Sequence, residues 1–162
     1  MKFIVSVDEN WGIGKDNELL MRIPEDMKQF RQKTIDNIII MGRKTLESFP
    51  GAKPLPKRIN VVLTSNKNYS PENVTVCHTI DEIIEYVSQF KDKDIFVIGG
   101  ESIYRQFMPY CNEGYITKIS KTFDADTFLE NLDQNSDWYI DEVQMEGYFE
   151  GVKYSVLKYK RK

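Results

Sequence analysis

Short runs rich in Ile and Val, separated by turn residues, recur along the first two thirds of the chain. Phe3–Val7, Asn37–Met41, Asn60–Leu63, Val74–Val76 and Asp94–Ile98 have the length and β-branched content of strands. Asn37–Met41 and Asp94–Ile98 are continuous apolar runs rather than alternating ones, the pattern of strands covered on both faces in a parallel sheet. Between the runs the spacing predicts helices. Pro24–Lys33 opens with a proline and then Glu25 and Asp26 at its N-terminal dipole end, and Ile23, Met27 and Phe30 give it an apolar stripe. Thr79 or Asp81 caps a helix through Ile83, Ile84 and Val87, and another helix follows Gly99-Gly100 with Ile103 and Phe107 inward. The end of the chain changes period. Gly114–Ser120, Trp138–Met145 and Val152–Lys160 alternate apolar with polar, as half-buried antiparallel strands do. The expected fold is α/β, one domain over residues 1–162. It has a central, mainly parallel sheet with an antiparallel C-terminal edge and about four flanking helices.

Composition narrows the function. With 162 residues, 41% hydrophobic and 29% charged, the chain is neither disordered nor fibrous. Lys plus Arg number 22 against 25 Asp plus Glu, a net charge of −3, which disfavours a nucleic-acid partner while leaving room for a local anion site. Cys77 and Cys111 show no metal-ligand spacing and no disulfide framework, so no metal is expected and both read as reduced thiols. The first apolar run gives way at once to Asp8-Glu9, too short for a signal peptide, and no run approaches the ~20 residues that span a bilayer. A cytoplasmic protein with no membrane partner is expected, and nothing demands more than a monomer.

Three of the buried strands end alike. Ile38–Met41 runs into Gly42-Arg43-Lys44-Thr45, Val61–Leu63 into Thr64-Ser65, and Ile95–Ile98 into Gly99-Gly100-Glu101-Ser102. In open α/β sheets ligands bind outside the carboxyl ends of the strands. Glycines that admit close backbone approach, hydroxyls and cations are the groups that hold phosphate. Each piece has a plainer reading: a tight turn for Gly99-Gly100, a solvated pair for Arg43 and Lys44, a strand end for Thr64-Ser65. Cations at a helix N-terminus are unfavourable by roughly 0.3–1 kcal/mol each, so an anionic partner explains Arg43 and Lys44 better. Together the three ends point to a multiply phosphorylated ligand such as a dinucleotide. Asp26, at ~100° per residue, falls roughly 65° from the middle of its helix's apolar stripe. That is the edge of the buried face, where a dipole partner or a ligand-binding carboxylate are both open readings. Trp11 and Trp138 read as packing, and His78 as exposed. A single histidine and no nucleophile motif leave covalent catalysis unsupported.

In their order and spacing these residues resemble a bacterial dihydrofolate reductase over nearly the whole chain. The matching pieces are Gly12-Ile13-Gly14, Ile23-Pro24-Glu25-Asp26, Ile40-Met41-Gly42-Arg43-Lys44-Thr45, Pro54-Leu55-Pro56, Arg58-Ile59-Asn60, Ile98-Gly99-Gly100 with Ile103-Tyr104, Tyr115-Ile116-Thr117 and Asp126-Thr127. The resemblance implies NADPH-dependent reduction of 7,8-dihydrofolate to tetrahydrofolate by hydride transfer, in support of one-carbon metabolism and thymidylate synthesis. It implies that Asp26 is the catalytic carboxylate, pairing with N3 and the 2-amino group of the pterin. Ile4, Val5 and Ile98 then line the ring, with the Ile4 and Ile98 carbonyls accepting from it. Phe30, Phe49 and Leu55 supply apolar contacts, Arg58 holds the glutamate α-carboxylate and Thr117 links to Asp26. Arg43, Thr64 and Ser65 fall on the pocket for the adenosine 2′-phosphate, with His78 where some relatives carry lysine. Ser6, Ile13, Gly14, Gly42, Lys44, Thr45, Leu63, Ile98, Gly99, Gly100, Glu101, Ser102, Ile103 and Tyr104 fall on the remaining cofactor contacts. Gly14–Met21 matches a mobile loop.

The sequence departs from the family in places. Leu20-Met21 stands where many relatives read Pro-Trp, and Met21 cannot donate a hydrogen bond. Glu101 puts an acid beside the expected pyrophosphate site, and the stretch around Phe49–Lys53 is longer than usual. Two alternatives stand beside this reading: a related reductase of ribosylated pyrimidines, and a nucleotide-binding module without catalysis.

Overall fold

The computed structural model describes residues 1–162. In chain order the elements are β1 (Lys2–Val7), β2 (Gly12–Gly14), α1 (Pro24–Thr34), β3 (Ile38–Gly42), α2 (Arg43–Glu47), β4 (Ile59–Leu63), β5 (Val74–Cys77), α3 (Ile80–Val87), β6 (Ile95–Gly99), α4 (Glu101–Phe107), β7 (Glu113–Ile119), β8 (Thr127–Phe128), β9 (Trp138–Phe149) and β10 (Val152–Arg161). Eight strands form one sheet in the order β5-β4-β3-β6-β1-β7-β10-β9. The pairs from β5 to β7 are all parallel, and β10 pairs antiparallel with both β7 and β9. The α/β expectation holds, with four α-helices.

The continuous apolar runs are central strands because both of their faces are covered. Ile38, Ile39, Ile40 and Met41 are all fully buried, and their side chains alternate between faces. Ile38 and Ile40 join Phe3, Val5, Val7 and Val97 in a large cluster with Ile83, Val87, Ile103 and Phe107 of α3 and α4. Ile39 and Met41 join Ile4, Phe96, Tyr115 and Val62 in a much smaller cluster on the other face. Around that second cluster Phe30, Phe49, Leu55 and Ile98 are only half-buried. One face is thus sealed, while the other remains a partly open cleft roofed by α1.

That asymmetry corrects one expectation. Met27 is not part of a buried stripe: it is 44% exposed. The residues that α1 turns toward the sheet are Ile23, Asp26, Gln29, Phe30 and Thr34. The face is polar because it overlooks a cleft rather than a core. A second correction concerns β9. It runs four residues beyond Met145 and most of it is exposed, including Tyr139, Ile140, Val143 and Tyr148, because it is the outer edge and bulges against β10 break its alternation. Sequence reasoning also missed β2 and β8, which pair as a separate two-stranded ribbon. Thr79 caps α3 as expected, accepting from the Glu82 N–H. Trp11 and Trp138 are buried. Cys77 and Cys111 are free and buried, and burial pushes the Cys111 thiol up to about 12.

The register of β1 on β7 is locked by a shape match. Phe3 lies opposite Gly114, and a Cβ at Gly114 would sit 2.2 Å from the Phe3 ring. Gly114→Ala is expected to lower stability by about 1–3 kcal/mol, the range for overpacking a filled core. Thermal unfolding checks this, and an unchanged Tm would show that the Phe3 ring can move aside.

Candidate active site

Asp26 sits in the first turn of α1, where its carboxylate reaches the open face of the sheet. Thr117 Oγ1 donates to Oδ1 at 2.5 Å, Gln29 Nε2 donates to the same oxygen at 2.9 Å, and Ser6 Oγ donates to Oδ2 at 2.8 Å. Ser6 and Thr117 are register partners on β1 and β7, so strand pairing alone brings the two hydroxyls together. The link expected between Thr117 and Asp26 is present. Ser6, expected among the cofactor contacts, turns its side chain to the carboxylate. Gln29 was not foreseen, although an i,i+3 position on the same helix face is a usable signal.

Apolar walls surround this carboxylate. Ile4 is buried on the same face of β1, and Phe30, Phe49, Leu55 and Ile98 border the open-face cluster. Val5, expected to line the ring, turns its side chain into the sealed core, because alternate residues of a strand point to opposite faces. The Ile4 carbonyl accepts from Tyr104 Oη at 2.7 Å. Burial drives the Tyr104 hydroxyl far above its ordinary value, so it stays a donor.

Arg58 closes one end of the cleft. Its Nε donates to Thr34 Oγ1 at 3.0 Å and Nη1 to the Pro56 carbonyl at 3.1 Å, while Cζ lies 5.9 Å from the centre of the Phe30 ring. Nη2 has no partner within the chain. Burial first, and then the nearby Arg31, disfavour the charged form of Arg58. Two guanidinium groups close together, one with an uncommitted edge, suit a carboxylate, which takes that fork bidentately.

The glycine- and hydroxyl-rich strand ends form one row, because β4, β3 and β6 are adjacent in the sheet. Gly99 has φ 119°, a conformation open to glycine, and Gly100 faces Thr45, whose Oγ1 lies 3.8 Å from where a Cβ would stand. Gly42 packs on Ile103, whose Cγ1 would lie 3.1 Å from an added Cβ. Leu63 and Thr64 are half-buried, and Ser65 and Ser102 are exposed at the same end. A cradle kept free of side chains and edged by hydroxyls fits a nucleotide phosphate.

Several charges in this row differ from expectation. Arg43 is not a free cation: its Nη1 lies 2.9 Å from Glu47 Oε1. Such exposed i,i+4 pairs contribute little, so the guanidinium remains available to a stronger anion. With α2 five residues long and α4 seven, no long helix dipole aims at the row, and amide N–H groups and side chains remain as its donors. His78 is half-buried rather than exposed, with Nδ1 2.7 Å from the Thr64 carbonyl. Glu101 is turned aside: Oε2 accepts from the Phe128 N–H at 2.6 Å and Oε1 faces Arg105 at 3.4 Å. This ties the start of α4 to β8.

The segment after β2 crosses the same end of the sheet. Ile13 and Gly14 are buried. The Asp16 N–H donates to Asp126 Oδ2 at 3.0 Å, and Asn17 Nδ2 donates to the Lys44 carbonyl at 2.8 Å, bridging to α2. Its root is fixed by Asp8, only 3% exposed, whose carboxylate accepts from the N–H groups of Asn10, Gly12 and Phe123. Met21, at its far end, packs beside the Ile23, Ile119 and Tyr154 cluster.

Comparison with known proteins agrees with this geometry. A family model described as dihydrofolate reductase matches residues 1–161. A dihydrofolate reductase of Enterococcus faecium is 40% identical over 136 residues, covering 83% of this chain and 80% of that protein. The dihydrofolate reductase of Bacillus subtilis is 37% identical over 138 residues, covering 85% and 79%. The structure of the Enterococcus faecalis dihydrofolate reductase complexed with NADP(H) and RAB-propyl superposes with a TM-score of 0.87 at 35% identity, covering 99% of this chain and 95% of that one. With a cleft of this form, a carboxylate at its floor and a full-length family match, the chain belongs to the dihydrofolate reductase family.

Proposed function

We propose that this chain reduces 7,8-dihydrofolate to 5,6,7,8-tetrahydrofolate with NADPH. The observation that carries this reading is Asp26, a carboxylate held from three elements at the floor of an apolar cleft, beside the row of glycine and hydroxyl strand ends. NADPH, when bound, supplies the hydride that reaches C6 of the substrate. Thr45, Gly99, Gly100 and Ser102 would hold its pyrophosphate side, and Arg43, Thr64 and Ser65 its 2′-phosphate. Asp26 pairs with the N3 and 2-amino donors of the pterin, one at the open position of Oδ2 and one displacing the Gln29 amide from Oδ1, and its negative charge favours a protonated ring. Phe30, Phe49 and Leu55 exclude water from the ring faces. Arg58 takes the α-carboxylate of the glutamate and fixes the substrate along the cleft. Asp26 on the N3 side of the ring does not reach N5, so in this reading a water carries the proton there. The same reading takes the protein as a monomer acting on small molecules in the cytoplasm, in keeping with two free, buried cysteines and a net charge of −3. No helix is long and apolar enough to cross a membrane.

Asp26→Asn keeps the shape and removes the charge. Hydride transfer at neutral pH is expected to fall several tens-fold or more, within the ~10²–10⁴ typical of acid–base assistance, and the deficit should shrink in acid, where solvent protonates the substrate unaided. A pre-steady-state pH profile decides: a deficit that stays constant into acid contradicts the assigned role. Arg58→Ala should weaken dihydrofolate binding while sparing NADPH, and a substrate trimmed of its glutamate should be insensitive to the change. If trimmed and full substrates respond alike, Arg58 is structural. Arg43→Ala should raise KM for NADPH far more than for NADH, since a hydrogen bond to a charged group contributes roughly 1.5–3 kcal/mol. Equal effects on the two cofactors would remove Arg43 from the phosphate pocket.

A further inference from the structure

The two oxygens of Asp26 are not equivalent. An ionised carboxylate has about four lone-pair positions. On Oδ1 both are taken, by Thr117 and Gln29. On Oδ2 one is taken, by Ser6, and the other is open. Ser6 is therefore the sole protein donor to the oxygen that has room for a ligand. Its hydroxyl bonds to no other group of the chain. Ser6 is half-buried on the open face of β1, one step along from Ile4 on the same side, so its position follows from the strand period.

We propose that Ser6 is a positioning residue for the substrate: its hydroxyl fixes the plane of the Asp26 carboxylate and turns the open lone pair of Oδ2 toward the pterin. The inference rests on the reading of Asp26 as the pterin-binding group. Without the Ser6 hydroxyl, Oδ2 has no protein donor, and only the bonds from Thr117 and Gln29 to Oδ1 are left to set the plane of the carboxylate. Lys33, on the same helix, has its ammonium 4.7 Å from the centre of the Tyr115 ring, and burial first disfavours its charge. From β1 and β7 the groups that touch the carboxylate are the neutral hydroxyls of Ser6 and Thr117.

The test compares Ser6→Ala, Ser6→Cys, Ser6→Thr and Asp26→Asn in the full-length protein. Equilibrium titrations give Kd for dihydrofolate and for NADPH at pH 7. Ser6→Ala is expected to weaken dihydrofolate about tenfold, the size of one hydrogen bond to a charged group. NADPH affinity should stay within about twofold. Ser6→Thr, which keeps the hydroxyl, should restore the affinity. Ser6→Cys, close in size but a weak donor, should resemble Ser6→Ala, which keeps the test alive if the alanine variant folds poorly. Wild-type dihydrofolate affinity in Ser6→Ala or Ser6→Cys overturns the proposal. So does a loss that falls on NADPH, which would return Ser6 to the cofactor side. Asp26→Asn separates the two levels. If it binds dihydrofolate like the wild type, the reading of Asp26 fails. If it binds weakly while Ser6→Ala does not, only the role of Ser6 falls.

Discussion

The register of β1 between its two parallel neighbours is the constraint on which the cleft depends. Side chains alternate along a strand, so a slip by one residue exchanges the two faces. In the observed register Phe3, Val5 and Val7 enter the sealed core, while Ile4 and Ser6 face the open side together with Tyr115 and Thr117 of β7. A shifted β1 would bury Ser6 among aliphatic side chains and leave Asp26 without a donor on Oδ2. The pairing of Phe3 with Gly114 resists that shift by shape rather than by hydrogen bonds, since parallel ladders are evenly spaced and tolerate translation better than a ring in a glycine notch does.

The unequal covering of the sheet explains why a protein of this size keeps a cleft at all. α3 and α4 close one face with Ile83, Val87, Ile103 and Phe107. On the other face α1 presents Asp26, Gln29 and Thr34 inward, polar groups that cannot seal against Ile39 and Met41. Asp26 and Thr34 find hydrogen-bond partners, and Gln29 donates its amide to Asp26 while its Oε1 stays without a partner. Thr34 illustrates the economy of this: its hydroxyl donates to the Phe30 carbonyl of its own helix and accepts from Arg58, so a single side chain both satisfies the helix and places the guanidinium.

How much of this was legible in the sequence depended on the range of the interaction concerned. The central strands were plain because Ile38–Met41 and Ile95–Ile98 are buried on both faces and carry no competing pattern. The cap at Thr79 was plain because it acts over three residues. The three glycine- and hydroxyl-rich strand ends were recognised as one site because the order of an open sheet brings strand ends together. The helix face was misread at Met27, since periodicity reports that one side of a helix is apolar but not whether that side meets a core or a ligand. β2 and β8 were too short to leave a period. The contact of Ser6 with Asp26 spans twenty residues and exists only once β1 and β7 are in register, so no local pattern could announce it. Glu101 could be placed beside the cofactor row, but its direction follows from a partner, the Phe128 amide, twenty-seven residues away.

The buried carboxylate of Asp8 has a thermodynamic consequence for the segment that follows it. By holding the amides of Asn10, Gly12 and Phe123, it fixes the first part of the crossing between β1 and α1 at three points. Ordering a residue costs about 1–2 kcal/mol of backbone entropy, and here that cost is met at folding by one buried carboxylate. The ribbon of β2 and β8 therefore starts from a root that is already set when the rest of the crossing is laid across the end of the sheet.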